Sequence, residues 1–359
     1  MLTTIKRLLR NDIKHLLTVT QSRRPWHLPI VSAIAISFPV FIGAYFDALS
    51  SGVKASLGAM IILNLPLVGS LAYRLVTIMA WGFAMSLCFA LGAIAQQVPI
   101  LKLPVFTIMA FGIVGLGRYY QQQPPAGLFV MMAGAIALFI PIPLTELLSA
   151  SGLVMLGSGF SMIMALLYSL FLLATRQTLQ APHYSYKPDI ISESIIVTGF
   201  VSLALLVAVL LNMPYPYWAS VSCFIIIQGI QLRTMWIKQL HRLLGTVVGV
   251  GLATWLLSFD LLMWEVAIII FVMMLCIESL IDRHYGLAVV FITPLTIFIA
   301  EYGSDLPASV QNYQSVIQAR LIDTALGCVI GLSGGIAMHS TVLRKPIQRL
   351  EQWLVVRFG

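Results

Sequence analysis

Hydrophobic residues dominate the chain from residue 28 to residue 339, where long apolar runs are separated by short polar or proline-containing breaks. A helix that spans the hydrocarbon core of a bilayer needs about 20 mostly apolar residues. Runs of this length indicate membrane-spanning helices. We predict twelve helices, at residues 28–48, 53–70, 71–95, 101–120, 124–142, 147–173, 191–211, 216–232, 240–259, 262–281, 285–301 and 313–339.

The amino-acid composition agrees with this pattern. Of the 359 residues, 59% are hydrophobic and only 9% are charged, whereas soluble domains carry about 25% charged residues. The composition excludes a water-exposed globular surface and leaves no room for a soluble catalytic domain. We therefore predict an all-α polytopic membrane protein.

A polar interval near residues 175–190 divides the predicted helices into two sets of six, and the two sets share short matches. The four residues Gly117–Tyr120 align with Asp282–Tyr285, and Arg74 of the third helix aligns with Arg242 of the ninth. Because six is an even number, both sets enter the bilayer in the same orientation, as parallel repeats; chance similarity between apolar sequences is the alternative. We predict a basic amphipathic cytoplasmic segment (1–27), a first six-helix repeat (28–174), a cytoplasmic linker (175–190), a second six-helix repeat (191–340) and a basic cytoplasmic tail (341–359).

The positions of lysine and arginine predict the orientation of the chain. The formal net charge is +8. With twelve spans and the N-terminus in the cytoplasm, 18 of the 21 basic residues fall on the cytoplasmic side, as the positive-inside rule requires. We therefore expect both termini to lie in the cytoplasm. Nucleic-acid binding is not expected, since it needs an exposed basic face with stacking aromatics. The three basic residues outside the cytoplasmic set are Lys54, Lys102 and Arg320.

Signatures of catalysis, cofactors and metals are not found in the sequence. It contains no phosphate-binding G-x-x-x-x-G-K-[ST], no H-E-x-x-H and no C-x-x-C motif, and its four cysteines lie singly in apolar runs. The segment Gly331–Gly335 fits the G-x-S-x-G pattern, but that motif needs a strand-to-helix turn and here it lies in an apolar helix. Its glycines, with Gly327, are better interpreted as a packing surface. We predict no enzyme activity, no catalytic residue, no cofactor and no metal site.

Charged residues inside the predicted spans are the main functional candidates, because a charge in the hydrocarbon costs at least about 2.5 kcal/mol. Arg320 and Asp323 lie three positions apart in the last helix and are predicted to pair on one face. Either they neutralise each other, or Arg320 attracts an anionic substrate while Asp323 is its counter-ion or a protonation site. Glu278 in the tenth helix is expected either to pair with Arg283 or Arg242 as an inner gate or to reach the membrane interface.

Prolines interrupt two predicted spans, Pro39 in the first helix and Pro294 in the eleventh. A proline frees a backbone carbonyl and permits a kink, and broken helices near the bilayer midplane often line a substrate route. Kinks that serve packing are the alternative. The run Pro214–Trp218 is interpreted first as an aromatic belt at the outer interface and second as a vestibule for aromatic substrates.

The segment Arg242–Gly249 follows a polar loop and opens a helix, and it resembles the R-x-x-G-T-x-x-G element of the fusaric acid resistance-like and aromatic acid exporter family. A looser copy, Arg320–Gly327, has Asp323 in place of the first glycine, and the first set of helices keeps only Arg74 and Thr77. The resemblance implies two six-helix units and inner-membrane efflux of aromatic or related organic anions. It also implies coupling to the proton gradient and, in some members, a periplasmic adaptor.

The chain departs from the family pattern in one further respect, and related proteins widen the functional alternatives. Many relatives have a sizeable cytoplasmic domain where this chain has a short linker and tail, and a related plant group forms anion channels. We predict an efflux transporter of aromatic or other organic carboxylate anions, driven by protons or by the substrate gradient. An anion channel and a non-transporting membrane scaffold are the alternatives. The expected partners are the lipid bilayer, the organic anion and a periplasmic adaptor; the oligomeric state is not predicted.

Overall fold

The computed structural model describes residues 19–22, 24–122, 126–175, 189–228, 232–303, 313–340 and 351. The predicted amphipathic segment and cytoplasmic linker and tail lie largely outside these residues. The described residues form twelve α-helices and no strand. They are α1 (Leu28–Tyr45), α2 (Leu49–Ala59), α3 (Leu71–Gln96), α4 (Lys102–Tyr119), α5 (Leu128–Ala137), α6 (Leu147–Ala174), α7 (Ile190–Leu210), α8 (Tyr217–Ile227), α9 (Leu232–Leu257), α10 (Met263–Leu280), α11 (Tyr285–Tyr302) and α12 (Tyr313–His339).

Each of the twelve predicted helices has a counterpart in the structure, and the protein is a multi-pass membrane protein. In the described part of the chain, nine helices are long and apolar enough to cross a membrane. The other three, α2, α5 and α8, have 11, 10 and 11 residues. At the rise of an α-helix they are about 15–17 Å long, roughly half the thickness of the hydrocarbon core. Twelve complete spans therefore stay a prediction.

Sequence features near the ends of the short helices explain their length. A 3-10 helix at Met60–Asn64 follows α2 and ends before Pro66. Pro141 follows α5 within one turn, and Pro216 directly precedes α8. Proline lacks a backbone N–H and clashes with the preceding helical turn, which disfavours continuation of a helix through these positions.

Helix packing follows a similar pattern in the two sets of six. In the first set α3 packs on α5 and α6, and α2 packs on α6; in the second, α9 packs on α11 and α12, and α8 packs on α12. The two sets meet where α4 packs on α7 and where α10 packs on α1. The helices α5 and α8 also touch, as do α11 and α2. The short helices therefore lie at the junction between the sets.

Glycines allow the closest of these helix contacts. A Cβ atom at Gly157 of α6 would overlap the carbonyl oxygen of Ala55 in α2, and a Cβ at Gly327 of α12 would overlap that of Ala219 in α8. At Gly331 a Cβ would lie 2.9 Å from the Cys223 carbonyl oxygen. Because small residues let helix backbones approach closely in membranes, the predicted packing role of the α12 glycines is confirmed.

One residue of the C-terminal segment is fixed to the start of α7. The carboxylate of Glu351 accepts hydrogen bonds from the backbone N–H of Ile191 at 3.0 Å and of Ser192 at 3.1 Å, and from the Ser192 hydroxyl at 2.8 Å. A carboxylate is favourable there because the first N–H groups of a helix lack intrahelical partners and carry partial positive charge.

Candidate anion site

A cavity of about 290 Å³ lies at the junction of the two sets of helices. It extends along α8 from Trp218 to Gln228, a length of about 15 Å at the rise of an α-helix. Helices α9 to α12 form one side of the cavity. The 3-10 helix that follows α2 and helix α5 form the other side. Apolar side chains line most of it, among them Met60, Phe129, Met132, Val221, Met274 and Leu295.

Arg242 of α9 faces this cavity and is held by neutral groups. Its side chain is only 2% exposed. Its Nε and Nη2 atoms donate to the Ser222 hydroxyl at 3.2 and 3.1 Å, and Nη1 donates to the Tyr285 hydroxyl at 3.3 Å. The predicted pairing of Glu278 with Arg242 is therefore not observed. Hydrogen bonds to hydroxyl groups orient the guanidinium but leave its positive charge uncancelled.

Arg320 of α12 faces the same cavity and rests on an aromatic ring. Its guanidinium carbon lies 3.6 Å from the centre of the Trp218 ring, a cation–π contact. Its Nε and Nη1 atoms have no hydrogen-bond partner among the described residues. The indole attracts the charge without neutralising it, and no ion pair joins Arg320 to a carboxylate among the described residues.

Asp323 is fully buried one turn away from Arg320 on α12. Within the described chain, neither of its carboxylate oxygens has a hydrogen-bond partner. The hydrogen-bonded pair that the spacing predicts is therefore not formed, although the two groups are close enough to interact electrostatically. Arg320 lines the cavity and Asp323 does not.

Glu278 of α10 pairs with Arg24, which precedes α1. The Arg24 Nη1 atom lies 3.3 Å from Glu278 Oε2, and its Nε atom lies 2.7 Å from Asp282 Oδ2. The prediction that Glu278 pairs with Arg283 or Arg242 is thus corrected, because the segment before α1 packs against the end of α10. Thr20 fixes that segment by donating from its backbone N–H to the Arg283 carbonyl at 2.9 Å and from its hydroxyl to the Asp282 carbonyl at 2.8 Å.

A second cavity, of about 560 Å³, meets the first at this ion cluster. The two cavities share Arg24, Leu63, Glu278 and Asp282 in their walls. The lining of the second cavity also includes Ser32, Asn64, Tyr73, Gln121 and Gln122. The cluster of Arg24, Glu278 and Asp282 therefore stands between a mostly apolar cavity and a more polar one.

Pro39 and Pro294 are buried inside α1 and α11, but neither lines either of these two cavities. A Cβ at Gly52 would lie 2.7 Å from the Pro39 carbonyl oxygen. At Gly249 a Cβ would lie 2.7 Å from the carbonyl oxygen of Val290, the group that Pro294 leaves without its helical partner. Both sites are thus close helix contacts, and a role of the prolines in a substrate route stays a prediction.

The fold brings to the site several residues that local sequence patterns indicate only weakly or not at all. Trp218 was interpreted first as part of an interfacial belt, yet it is only 3% exposed and contacts Arg320 inside the protein. Lys238 lies one helical turn before Arg242 on α9, a spacing that places both on one face. The pairing of Arg24 with α10 had no local signal, because 254 positions separate Arg24 from Glu278.

The charges around the cavity favour an anion. In the described residues its lining contains the cations Arg24, Lys238, Arg242 and Arg320 and the carboxylates Glu278 and Asp282, and both carboxylates bind Arg24. A buried guanidinium can bind a carboxylate through two parallel hydrogen bonds, and the apolar walls suit an organic body. No group of three or more potential metal ligands occurs in the described residues.

The geometry defines a multi-pass helical membrane protein with a cationic internal cavity, and sequence comparison shows that its second set of helices is similar to a known family. Residues 203–334 match the family described as fusaric acid resistance protein-like. The match begins within α7, includes α8 to α11 and ends within α12, so it contains Arg242, Glu278, Arg320 and Asp323. The predicted family resemblance is confirmed for this segment.

A curated relative is similar over a segment of comparable length. The chain is 32% identical over 134 residues to the uncharacterized membrane protein YvaC of Bacillus subtilis (strain 168), which is 37% of this chain and 21% of the relative. The aligned part thus spans about a fifth of the relative's length. No solved structure matches the chain.

Proposed function

We propose that the protein is a bacterial inner-membrane transporter that exports aromatic or other organic carboxylate anions. The observation that carries the proposal is the cavity between the helix sets, where Arg242 and Arg320 contact only neutral groups among the described residues. Buried charges are unfavourable unless they are compensated, so an entering anion supplies the missing partner. Trp218 and Phe129 provide aromatic surface for its apolar part.

The two sets of six helices are proposed to be parallel repeats with the site at their junction. Three pairs of helices in corresponding positions have equal lengths: 11 residues in α2 and α8, 26 in α3 and α9, and 18 in α4 and α10. The pair α5 and α11 differs, with 10 and 18 residues. The similar packing of the two sets supports the same interpretation. Substrate sites near the midplane between repeats are common in secondary transporters. The distribution of basic residues supports a cytoplasmic location of both termini.

The cluster of Arg24, Glu278 and Asp282 is proposed to be an inner gate. It lies in the shared wall of the two cavities, so separation of Arg24 from the carboxylates would connect them. Among the described residues, Thr20 and Arg24 hold this segment to the end of α10 through hydrogen bonds and ion pairs, which a small movement can exchange.

Asp323 is proposed to link transport to protons. When its carboxylate is ionised it partly cancels the charge of Arg320, and when it is protonated it does not. Protonation of Asp323 and binding of an anion to Arg320 therefore favour each other, and the linkage is reciprocal. Because this linkage makes proton and anion move in the same direction, an inward proton gradient opposes export, and the substrate's own gradient supplies the driving force. A periplasmic adaptor stays an expectation of the family resemblance.

The test is transport of labelled aromatic and aliphatic carboxylates by the full-length protein in proteoliposomes, with and without an imposed pH gradient. The variants are Arg320→Gln and Asp323→Asn, with Arg118→Gln as an arginine control away from the cavity. We expect saturable flux that Arg320→Gln abolishes, that loses its dependence on the pH gradient in Asp323→Asn, and that survives in the control.

The alternatives give different results in the same assay. An anion channel conducts without a proton gradient and does not saturate at low substrate concentration. A membrane scaffold gives no flux for any anion in any variant. Flux that is unchanged by Arg320→Gln would place the substrate route elsewhere in the protein.

A further inference from the structure

Three cations form a regular series along the cavity. Lys238 and Arg242 are four residues apart on α9, a rise of about 6 Å. Arg242 bonds to Ser222 of α8, and Arg320 contacts Trp218, four residues earlier on the same helix. Arg242 and Arg320 therefore line the cavity beside successive turns of α8, and Lys238 lines it one turn before Arg242 on α9.

The net positive charge of the side chains that line the cavity is larger than the single negative charge of a monoanion. The described lining has four cations and two carboxylates, a formal excess of two positive charges. Both carboxylates bind Arg24, and no ion pair to a carboxylate is observed for Lys238, Arg242 or Arg320 among the described residues. Arg242 and Arg320 are also close enough to repel each other. When Asp323 beside Arg320 is protonated, one bound carboxylate would leave one of these charges uncompensated.

Resting on the proposed function, we propose that this site selects small organic dianions, an apolar or aromatic body with two anionic groups. One group binds between Arg242 and Arg320, where guanidinium groups offer paired donors. The other binds Lys238, whose flexible stem carries a compact charge at the next turn of α9. The volume of about 290 Å³ lies at the small end of ligand pockets, so one ring fits and a large amphiphile does not.

The proposal assigns Lys238 as the residue that distinguishes dianions from monoanions. Arg242 and Arg320 serve both ligands, since each ligand has at least one carboxylate. Lys238 contacts only the second anionic group. Its removal is therefore expected to change selectivity rather than binding as such, which a purely structural role would not do.

The test is calorimetric binding to the purified full-length protein in nanodiscs, with terephthalate and its monomethyl ester as a pair matched in shape. We expect terephthalate to bind at least about tenfold more tightly. Lys238→Met should reduce terephthalate affinity at least about tenfold, to near that of the monoester, and should reduce monoester affinity much less. Lys102→Met, a lysine outside the cavity, is the control and should change neither affinity.

The outcomes separate this inference from the proposed function. Equal binding of the two probes by the natural chain, or an equal loss of both in Lys238→Met, would overturn dianion selection while the anion site stands. Binding of neither probe would overturn both proposals. Retained monoester binding in Lys238→Met shows that the variant is folded.

Discussion

Arg74 in α3 and Arg242 in α9 stand at corresponding places in the two sets of helices, but their surroundings differ. Arg74 is 1% exposed, and its Nη2 atom donates to the Leu67 carbonyl at 2.9 Å. Its Nε and Nη1 atoms have no hydrogen-bond partner among the described residues, and it lines neither cavity. Arg242 has all three nitrogens bonded to hydroxyl groups and faces the central cavity. The same residue is therefore part of the packing in one set and part of the candidate site in the other.

Neighbouring positions explain the difference if the sets are repeats. The contacts Ala55–Gly157 and Ala219–Gly327 are equivalent. In that register Gly58 stands where Ser222 binds Arg242, so Arg74 lacks the hydroxyl that would orient it. In the same register, the positions equivalent to Trp218, Arg320 and Asp323 are occupied in the first set by Lys54, Ala150 and Leu153. The second set thus holds the polar chemistry, and the first set supplies mainly apolar walls.

The largest expected effect comes from removing each arginine in turn. Arg242→Gln should weaken binding of an aromatic carboxylate by about 100-fold, or about 3 kcal/mol, because a buried charged partner is lost. Arg74→Gln should leave that affinity within about threefold of the natural protein, since a contact remote from the ligand couples weakly to it. Calorimetry on the purified variants measures both. Equal losses of affinity in the two variants would show that Arg74 contributes to binding as much as Arg242 does.

Packing in the two sets should respond alike to added volume. Gly157→Ala and Gly327→Ala should each destabilise the protein by about 1–3 kcal/mol, because a Cβ overlaps a backbone carbonyl of the facing helix. Unfolding in mixed detergent followed by circular dichroism measures this. Gly159→Ala is the matched control, because no heavy atom of a neighbouring element lies within 4 Å of its Cβ position. If only one of the two substitutions lowers the free energy of unfolding, the two sets of helices do not pack equivalently.

Trp218 should contribute to binding, and the first set of helices has no tryptophan at the corresponding position. Trp218→Leu removes the ring beneath Arg320 and should weaken binding of an aromatic anion about tenfold, or about 1.4 kcal/mol. The loss should be smaller for an aliphatic anion of equal charge, which does not stack. Trp255→Leu, a tryptophan exposed on α9, is the control. Identical losses for aromatic and aliphatic ligands would exclude ring stacking by Trp218.

The smallest expected effect on stability concerns two ion pairs at the seams between the sets. Arg118 pairs with Glu193 where α4 meets α7, and Arg24 pairs with Asp282 where α10 meets α1. All four side chains are partly exposed, so each pair should contribute less than about 1 kcal/mol to stability. Of the variants Arg24→Gln and Arg118→Gln, only Arg24→Gln should change the transport rate. Arg24 lies in the wall shared by the two cavities, and Arg118 lines neither of them. A rate change in Arg118→Gln of the same size would remove the special role of Arg24 as a gate.

The sequence predicted the helices far better than the contacts of the candidate site. Apolar run length and proline positions are local properties, and every predicted helix has an observed counterpart. The glycine spacing in α12 correctly indicated a packing face. The spacing of Arg320 and Asp323 predicted a hydrogen-bonded pair, yet Arg320 lies on Trp218, because a residue from α8 comes closer than the neighbour on its own helix. Glu278 likewise binds Arg24 rather than the basic residues near it in sequence.

By itself, the sequence determined a multi-pass helical protein, since the bilayer requires long apolar helices whose backbone groups are satisfied internally. It also determined which charges are unusual, because any charge inside an apolar run stands out. Only the tertiary structure decided which of them meet. The central cavity is assembled from short helices of both sets and from α9 to α12, and contacts between such distant segments depend on helix packing that no local pattern encodes. For that reason Arg74 and Arg242, alike in sequence, differ in what they face.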